Sequence, residues 1–195
     1  MKKIDLFPTT LQYKNYGNAL SPLNKRLVED IETEMSITPS ADRSFTKNDN
    51  GWQSGYSMEH QYHSFKEFAN ILIESVPNTK RVKTWANVIT ASGGFSRPHR
   101  HNLKSMTGVY YPKGLYKIED LDVFDEDNFV HTGWPKGEGQ LVLFDPTAQL
   151  RGSNIVVTIE PRESLLIFFP PWLTHMVSPM VSDTKRYCVS FSIYT

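Results

Sequence analysis

Six of the 195 residues are histidine, and three of them are candidates for metal donors. His99 and His101 occur in Arg97-Pro98-His99-Arg100-His101. Residues two apart on an extended chain point to the same face, so both imidazoles can turn toward one metal. A third donor is offered by His175, which ends Phe168-Phe169-Pro170-Pro171-Trp172-Leu173-Thr174-His175 at the mouth of a very apolar segment. Neutral imidazole suits iron, zinc, copper and nickel alike. Each position also has a plainer reading. An H-x-H pair fits a polar loop, and a histidine after a greasy strand fits a core ring with a hydrogen-bond partner. His60, His63 and His131 are read as non-ligands, the first two as a surface pair or the start of a helix and the third as part of a long loop.

The second chemical feature is a cation. Arg186 opens Arg186-Tyr187-Cys188-Val189-Ser190-Phe191-Ser192. Strand alternation puts Arg186, Cys188, Ser190 and Ser192 on one face and Tyr187, Val189, Phe191 and Ile193 on the other. An unpaired buried guanidinium is costly, so Arg186 calls for a carboxylate able to take its planar fork. Asp145 or Glu163 would serve structurally; the carboxylate of a small cosubstrate would serve chemically.

These residues need a scaffold, and the pattern around them changes along the chain. Ser21-Pro22 followed by Leu23, Leu27, Ile31 and Met35 predicts an amphipathic helix ending before Pro39. Ser64-x-x-Glu67 reads as a capping box before Phe65, Phe68, Ile71, Leu72 and Val76, with Pro77 as the stop. Residues 40–62 read as an irregular packed segment. From Val82 onward short β-type segments are separated by Gly, Pro, Asn and Asp: 82–90, 105–111, 139–145, 154–159, 164–169, 174–178 and 186–194. Seven short strands without helical period between them predict an antiparallel jelly-roll with an α-helical N-terminal flank. The expected organisation is a single domain over 1–195, with 1–80 as the flank and 81–195 as the jelly-roll core. The connection from Pro112 to Glu138 is long, acidic and aromatic, so it reads either as a solvated loop or as a lid.

Composition narrows the partners. Lys and Arg number 21, as do Asp and Glu, so the formal net charge is zero. That argues against a general nucleic-acid or anionic-membrane binder. The single cysteine, Cys188, excludes an internal disulfide framework and fits a reducing compartment, with the cytoplasm as the expectation. No secretory h-region or membrane span is visible.

Taken in order, His99-x-His101, Thr107-Gly108-Val109-Tyr110-Tyr111, Phe169-Pro170-Pro171-Trp172-Leu173-Thr174-His175 and Arg186-x-x-x-Ser190-Phe191 resemble the 2-oxoglutarate and Fe(II)-dependent oxygenase family. That family's pattern is H-x-H, S-G-V-Y-Y, F-P-x-W-L-x-H and R-x-S-x-S-F. Phe7-Pro8-Thr9, Gly51-Trp52-Gln53-Ser54, Trp85-Ala86-Asn87-Val88 and Asp145-Pro146 are further similar pieces. The resemblance implies a double-stranded β-helix, which is a cupin-like jelly-roll. It implies His99 and His175 as iron ligands, with His101 in the position that the wider superfamily gives to a carboxylate. It also implies Arg186 as the clamp for the distal carboxylate of 2-oxoglutarate. Tyr111 or Tyr110 and Ser190 would be hydroxyl helpers, and Asn87 a further contact to the cosubstrate. The implied activity is a dioxygenase that couples 2-oxoglutarate decarboxylation by O2 to hydroxylation of a small-molecule or peptide substrate. His101 departs from the wider superfamily's carboxylate but not from the family's H-x-H; departures from the family pattern are Thr107 and Cys188 for serines, Ser192 for asparagine, and Glu163-Ser164 where glycine is usual. Two other classes stay open: a three-histidine cupin-like metalloprotein without 2-oxoglutarate, and a non-enzymatic jelly-roll binding or structural protein.

Overall fold

The computed structural model describes residues 2–6, 9–39, 48–101, 105–115, 130–147 and 156–195. Its elements run β1 (Lys2–Leu6), β2 (Thr9–Asn15), α1 (Ser21–Ile37), β3 (Asn48–Asp49), β4 (Gly51–Gln53), α2 (His63–Ser75), β5 (Arg81–Ile89), β6 (Phe95–His99), β7 (Met106–Tyr110), β8 (Val130–Thr132), β9 (Leu141–Phe144), β10 (Val156–Ile159), β11 (Leu165–Phe169), β12 (His175–Val177) and β13 (Arg186–Tyr194). All seven sequence-predicted strands form, and over the described residues each lies within about two residues of its expected bounds; residues 154 and 155 of the expected strand 154–159 lie outside the described residues.

The strands make two antiparallel sheets, ordered β1-β2-β11-β7-β13-β5-β4 and β3-β6-β12-β9-β10-β8. This is the jelly-roll arrangement. The larger sheet is buried on both sides, which explains why its strands read as nearly continuous apolar runs. On β11, Leu166 and Phe168 pack under the helices with Leu27, Ile31, Phe65 and Phe68, whereas Leu165, Ile167 and Phe169 face the smaller sheet with Leu141, Leu143 and Val157. β13 divides in the same way, with Tyr187, Val189, Phe191 and Ile193 on the helical side and Cys188 in the inter-sheet core. The alternation read from the sequence is therefore the alternation observed.

The helices form where expected but start differently. Ser21 and Ser64 lie inside their helices, and neither N-terminus has a side-chain cap. Ser64 donates instead to Asp30 of α1, so the expected capping box is a helix-to-helix tie. The N-terminal flank is also less helical than predicted. β1 and β2 extend one side of the larger sheet and β4 closes the other. Leu11 and Tyr13 of β2 enter the inter-sheet core, so burial comes from pairing with β11 and not from local propensity.

Gly108 is fixed by packing. A Cβ there would lie 2.0 Å from Ile167 O and 2.4 Å from Phe191 Cζ, so the ring of Phe191 occupies the space that a side chain would need. Ser164 takes the left-handed conformation, with φ of 64°, where the resembled family usually has glycine. Asn24 of α1 donates to its hydroxyl at 2.8 Å. Among the described residues no helix is long and apolar enough to cross a membrane. Residues 116–129 of the predicted acidic loop lie outside the described residues; the part beyond them begins with β8, which pairs with β10 at the border of the smaller sheet.

Candidate metal centre

The smaller sheet brings the histidines together. His99 ends β6 and His175 begins β12, and the two are direct partners across the antiparallel ladder. His101 follows two residues after His99, its backbone N–H donating to Pro171 O at 2.7 Å. The ring centroids of His99 and His175 are 4.2 Å apart, those of His101 and His175 5.1 Å, and those of His99 and His101 5.3 Å. One ligand nitrogen from each of the three lies within 4.8 Å of the others. His175 is buried and the other two are half-buried.

Two of the rings are oriented by backbone. His99 Nδ1 donates to Arg97 O at 2.7 Å, and His175 Nδ1 donates to Leu173 O at 2.9 Å. A ring that carries its proton on Nδ1 has its lone pair on Nε2, the form in which neutral imidazole ligates a metal. Phe169 packs edge-on against His175 with centroids 4.8 Å apart, and Trp85 packs edge-on against His101 at 6.0 Å. Three imidazole nitrogens within reach of one another on the wall of one cavity match the three-donor set that holds non-haem iron, with His101 in the carboxylate's place. The donor set therefore fits Fe(II).

The cavity beside these rings is lined by Arg186, Cys188, Ser190, Asn87, Gln53, Tyr56, Trp85, Ser96 and Val177, among others. Arg186 is only 3% exposed. Its Nε donates to Gly139 O at 2.7 Å and its Nη2 to the Tyr111 hydroxyl at 3.2 Å. Among the described residues no carboxylate pairs with it. Asp145 accepts from the backbone N–H and hydroxyl of Thr147, and Glu163 accepts from Asn24. Neither structural partner considered from the sequence is used.

The remaining predicted residues separate. Ser190 and Asn87 both line the cavity, with Asn87 Nδ2 donating to Ser190 Oγ at 2.9 Å. Tyr111 touches Arg186, and burial holds its phenol well above the ordinary range despite the nearby cation. Tyr110 does not join the site. It points to the opposite side of the larger sheet, against Phe68, and its hydroxyl donates to Asn24 Oδ1. Adjacent residues of a strand cannot serve one pocket from one face. Burial also pushes the Cys188 thiol up. Trp172 is half exposed. His131 meets Glu160 at 3.1 Å, and exposed His60 lies beside Glu59. Tyr56 was not anticipated. It lines the cavity while half exposed and stacks edge-on with Trp85 at 5.2 Å, and no periodicity marks it. Gln53 and Trp85 sit in the quoted Gly51–Ser54 and Trp85–Val88 pieces, which were the available signal.

The family model described as "Putative 2OG-Fe(II) oxygenase" matches residues 83–192, more than half of the chain. The chain belongs to the 2-oxoglutarate and Fe(II) oxygenase family. With membership come Fe(II) and 2-oxoglutarate as metal and cosubstrate, and an oxygenase as the class of enzyme. None of the curated proteins matches it. Among solved structures, a Pseudomonas putida prolyl-4-hydroxylase is similar with a TM-score of 0.66 at 12% identity, over 97% of this chain and 95% of that one. A Trichoplax adhaerens prolyl hydroxylase, solved with a hypoxia inducible factor peptide fragment, has a TM-score of 0.60 at 16% identity over 94% and 83%. HygX from Streptomyces hygroscopicus, with nickel and 2-oxoglutarate bound, has 0.60 at 9% over 95% and 83%. At these identities the likeness is one of fold.

Proposed function

We propose that the chain is a 2-oxoglutarate-dependent dioxygenase of the hydroxylase type, formed by 1–195 as one domain. His99, His101 and His175 hold Fe(II), and Arg186 takes the far carboxylate of 2-oxoglutarate. The observation that carries this reading is a buried guanidinium without a described carboxylate partner, lining the same cavity as the three imidazoles. The distal carboxylate of 2-oxoglutarate would neutralise Arg186, while its oxo-acid end would supply donors to the metal.

Bound Fe(II) and 2-oxoglutarate supply oxidative decarboxylation of the oxo acid by O2, coupled to oxidation of a substrate C–H bond. The chain's own residues do the positioning. The Arg97 and Leu173 carbonyls fix the tautomers of His99 and His175. Tyr111 stays protonated, so its hydroxyl can accept from Arg186 and donate to the bound carboxylate. Ser190 and Asn87 supply a hydroxyl and an amide along the cosubstrate's path, and Phe169, Leu141 and Val177 exclude water around it. Half-exposed Tyr56 and its neighbour on the cavity wall, Gln53, would meet a small-molecule or peptide substrate. A lone buried cysteine suits a reducing cytoplasmic setting.

Succinate release from 2-oxoglutarate under oxygen tests this function. Turnover that requires Fe(II) and is lost in Arg186→Ala supports it. Oxygen consumption independent of 2-oxoglutarate would instead favour a three-histidine metalloenzyme that uses no oxo acid.

A further inference from the structure

The guanidinium of Arg186 is held from behind by a residue outside every sequence motif. Gly139 lies just before β9, and its carbonyl accepts the Arg186 Nε–H at 2.7 Å. Its φ is 62°, the left-handed region. A Cβ at this position would fall 2.9 Å from Arg186 Cδ, 2.6 Å from Leu115 Cδ1 and 2.9 Å from Met180 Sδ. Leu115 and Met180 present the tips of flexible side chains, which can swing away. Arg186 Cδ cannot, because the next atom along is the hydrogen-bonded Nε.

The segment around this glycine is itself tied down. Gln140 N donates to Ser178 Oγ at 2.9 Å, Ser178 N donates to Gln140 O at 2.9 Å, and Ser178 Oγ donates to Gly137 O at 3.2 Å. Ser178 directly follows β12, the strand that begins with His175. The strand carrying a candidate metal ligand therefore also anchors the backbone that aims the arginine. A guanidinium has five N–H donors. With Nε given to Gly139 and one Nη2 proton to Tyr111, the donors left are on Nη1 and Nη2 at the end of the fork.

We propose that Gly139 is a positioning residue for the cosubstrate. Its carbonyl and its lack of a side chain set Arg186 so that the Nη1/Nη2 end, and not the Nε side, meets the carboxylate of a dicarboxylic oxo acid. The proposal rests on Arg186 being the carboxylate clamp.

The test is calorimetric titration of 2-oxoglutarate into Ni(II)-loaded wild type, Gly139→Ala, Gly139→Asn, Arg186→Ala and the Gly139→Ala/Arg186→Ala double variant, with Ni(II) affinity measured separately. Asparagine tolerates the left-handed backbone but still carries the Cβ, so it separates turn strain from displacement of the arginine. Both Gly139 variants should bind 2-oxoglutarate about 10-fold or more weakly, the size expected from a displaced charge-assisted hydrogen bond, with Ni(II) affinity unchanged. In the Arg186→Ala background, Gly139→Ala should add nothing. If wild type does not bind, or Arg186→Ala binds as wild type does, the clamp reading fails and takes Gly139 with it. If Arg186→Ala weakens binding, three results refute Gly139 alone: wild-type affinity in either folded Gly139 variant, fully additive losses in the double variant, or failure of both single variants to fold.

Discussion

His99 and His175 face each other across the β6–β12 ladder, and each donates its Nδ1 proton to the carbonyl two residues before it, Arg97 in one case and Leu173 in the other. The same short device is thus used twice, once on each strand, to prepare two imidazoles for one ion. His101 lies beyond the end of β6, where it is placed by Pro171 O and the Trp85 ring.

This difference predicts how the three ligands tolerate change. His99→Ala and His175→Ala should each lower Fe(II) affinity by more than about 10-fold, read by competition with a chelator under anaerobic conditions. His101→Ala should also weaken binding, but His101→Asp should retain the metal, because it restores the two-histidine, one-carboxylate set. Loss of metal in His101→Asp equal to that in His101→Ala would show that position 101 requires imidazole.

Arg186 predicts a selective defect. Lysine offers a point charge in place of a planar fork and cannot reproduce the paired contacts to Gly139 O and the Tyr111 hydroxyl. Arg186→Lys should raise the KM for 2-oxoglutarate by about 10-fold or more while metal affinity stays at the wild-type level. A parallel loss of metal would place the arginine in support of the ligands instead.

The sequence carried these parts unevenly. The strands β5, β7, β9 to β13 were legible because each is a short apolar run between turn residues, and the two faces of β13 followed from alternation alone. β2 was not. Its Leu11 and Tyr13 alternate correctly, but polar neighbours such as Gln12, Lys14 and Asn15 dilute the signal, and burial comes only from pairing with Leu165–Phe168. β6 was hidden by Pro98, which sits where the β12 register shifts between His175 and Val177. Tyr110 and Tyr111 could not be told apart because the larger sheet is buried on both faces, so hydrophobicity gave no inside and outside. Gly139 had no motif, since its role depends on the approach of Arg186 from 47 residues away.

Gly108→Ala should be severely destabilising. The added Cβ meets the Ile167 carbonyl at 2.0 Å, which is backbone in the neighbouring strand and cannot step aside. A loss on the order of 3 kcal/mol, measured by urea unfolding, is expected. A loss below about 1 kcal/mol would mean that β7 and β11 separate more readily than their ladder indicates.

Acid should loosen the contact between α1 and β13. Glu32 accepts from the Tyr187 hydroxyl and from Lys185 Nζ at 2.9 Å, and these bonds, Tyr187's first, hold its carboxyl below the usual range. A carboxylate with a lowered folded-state pKa adds stability that is present above its unfolded value, roughly pH 4.3, and is lost as the pH falls through the folded value. Glu32→Gln should therefore melt below wild type at neutral pH, and the gap should close as the pH drops below about 4. A gap that stays constant with pH would assign the contribution to packing.

The central claim joins one metal and one oxo acid in a single cavity. Anaerobic addition of Fe(II) and then 2-oxoglutarate, followed by visible absorption, tests it most directly, because a metal-to-ligand charge-transfer band appears only when the oxo acid chelates the iron. Wild type is predicted to develop the band at one iron per chain, His175→Ala to show none, and Arg186→Ala to need a much higher concentration of 2-oxoglutarate. An iron-loaded wild-type protein that shows no band at saturating 2-oxoglutarate would contradict the claim.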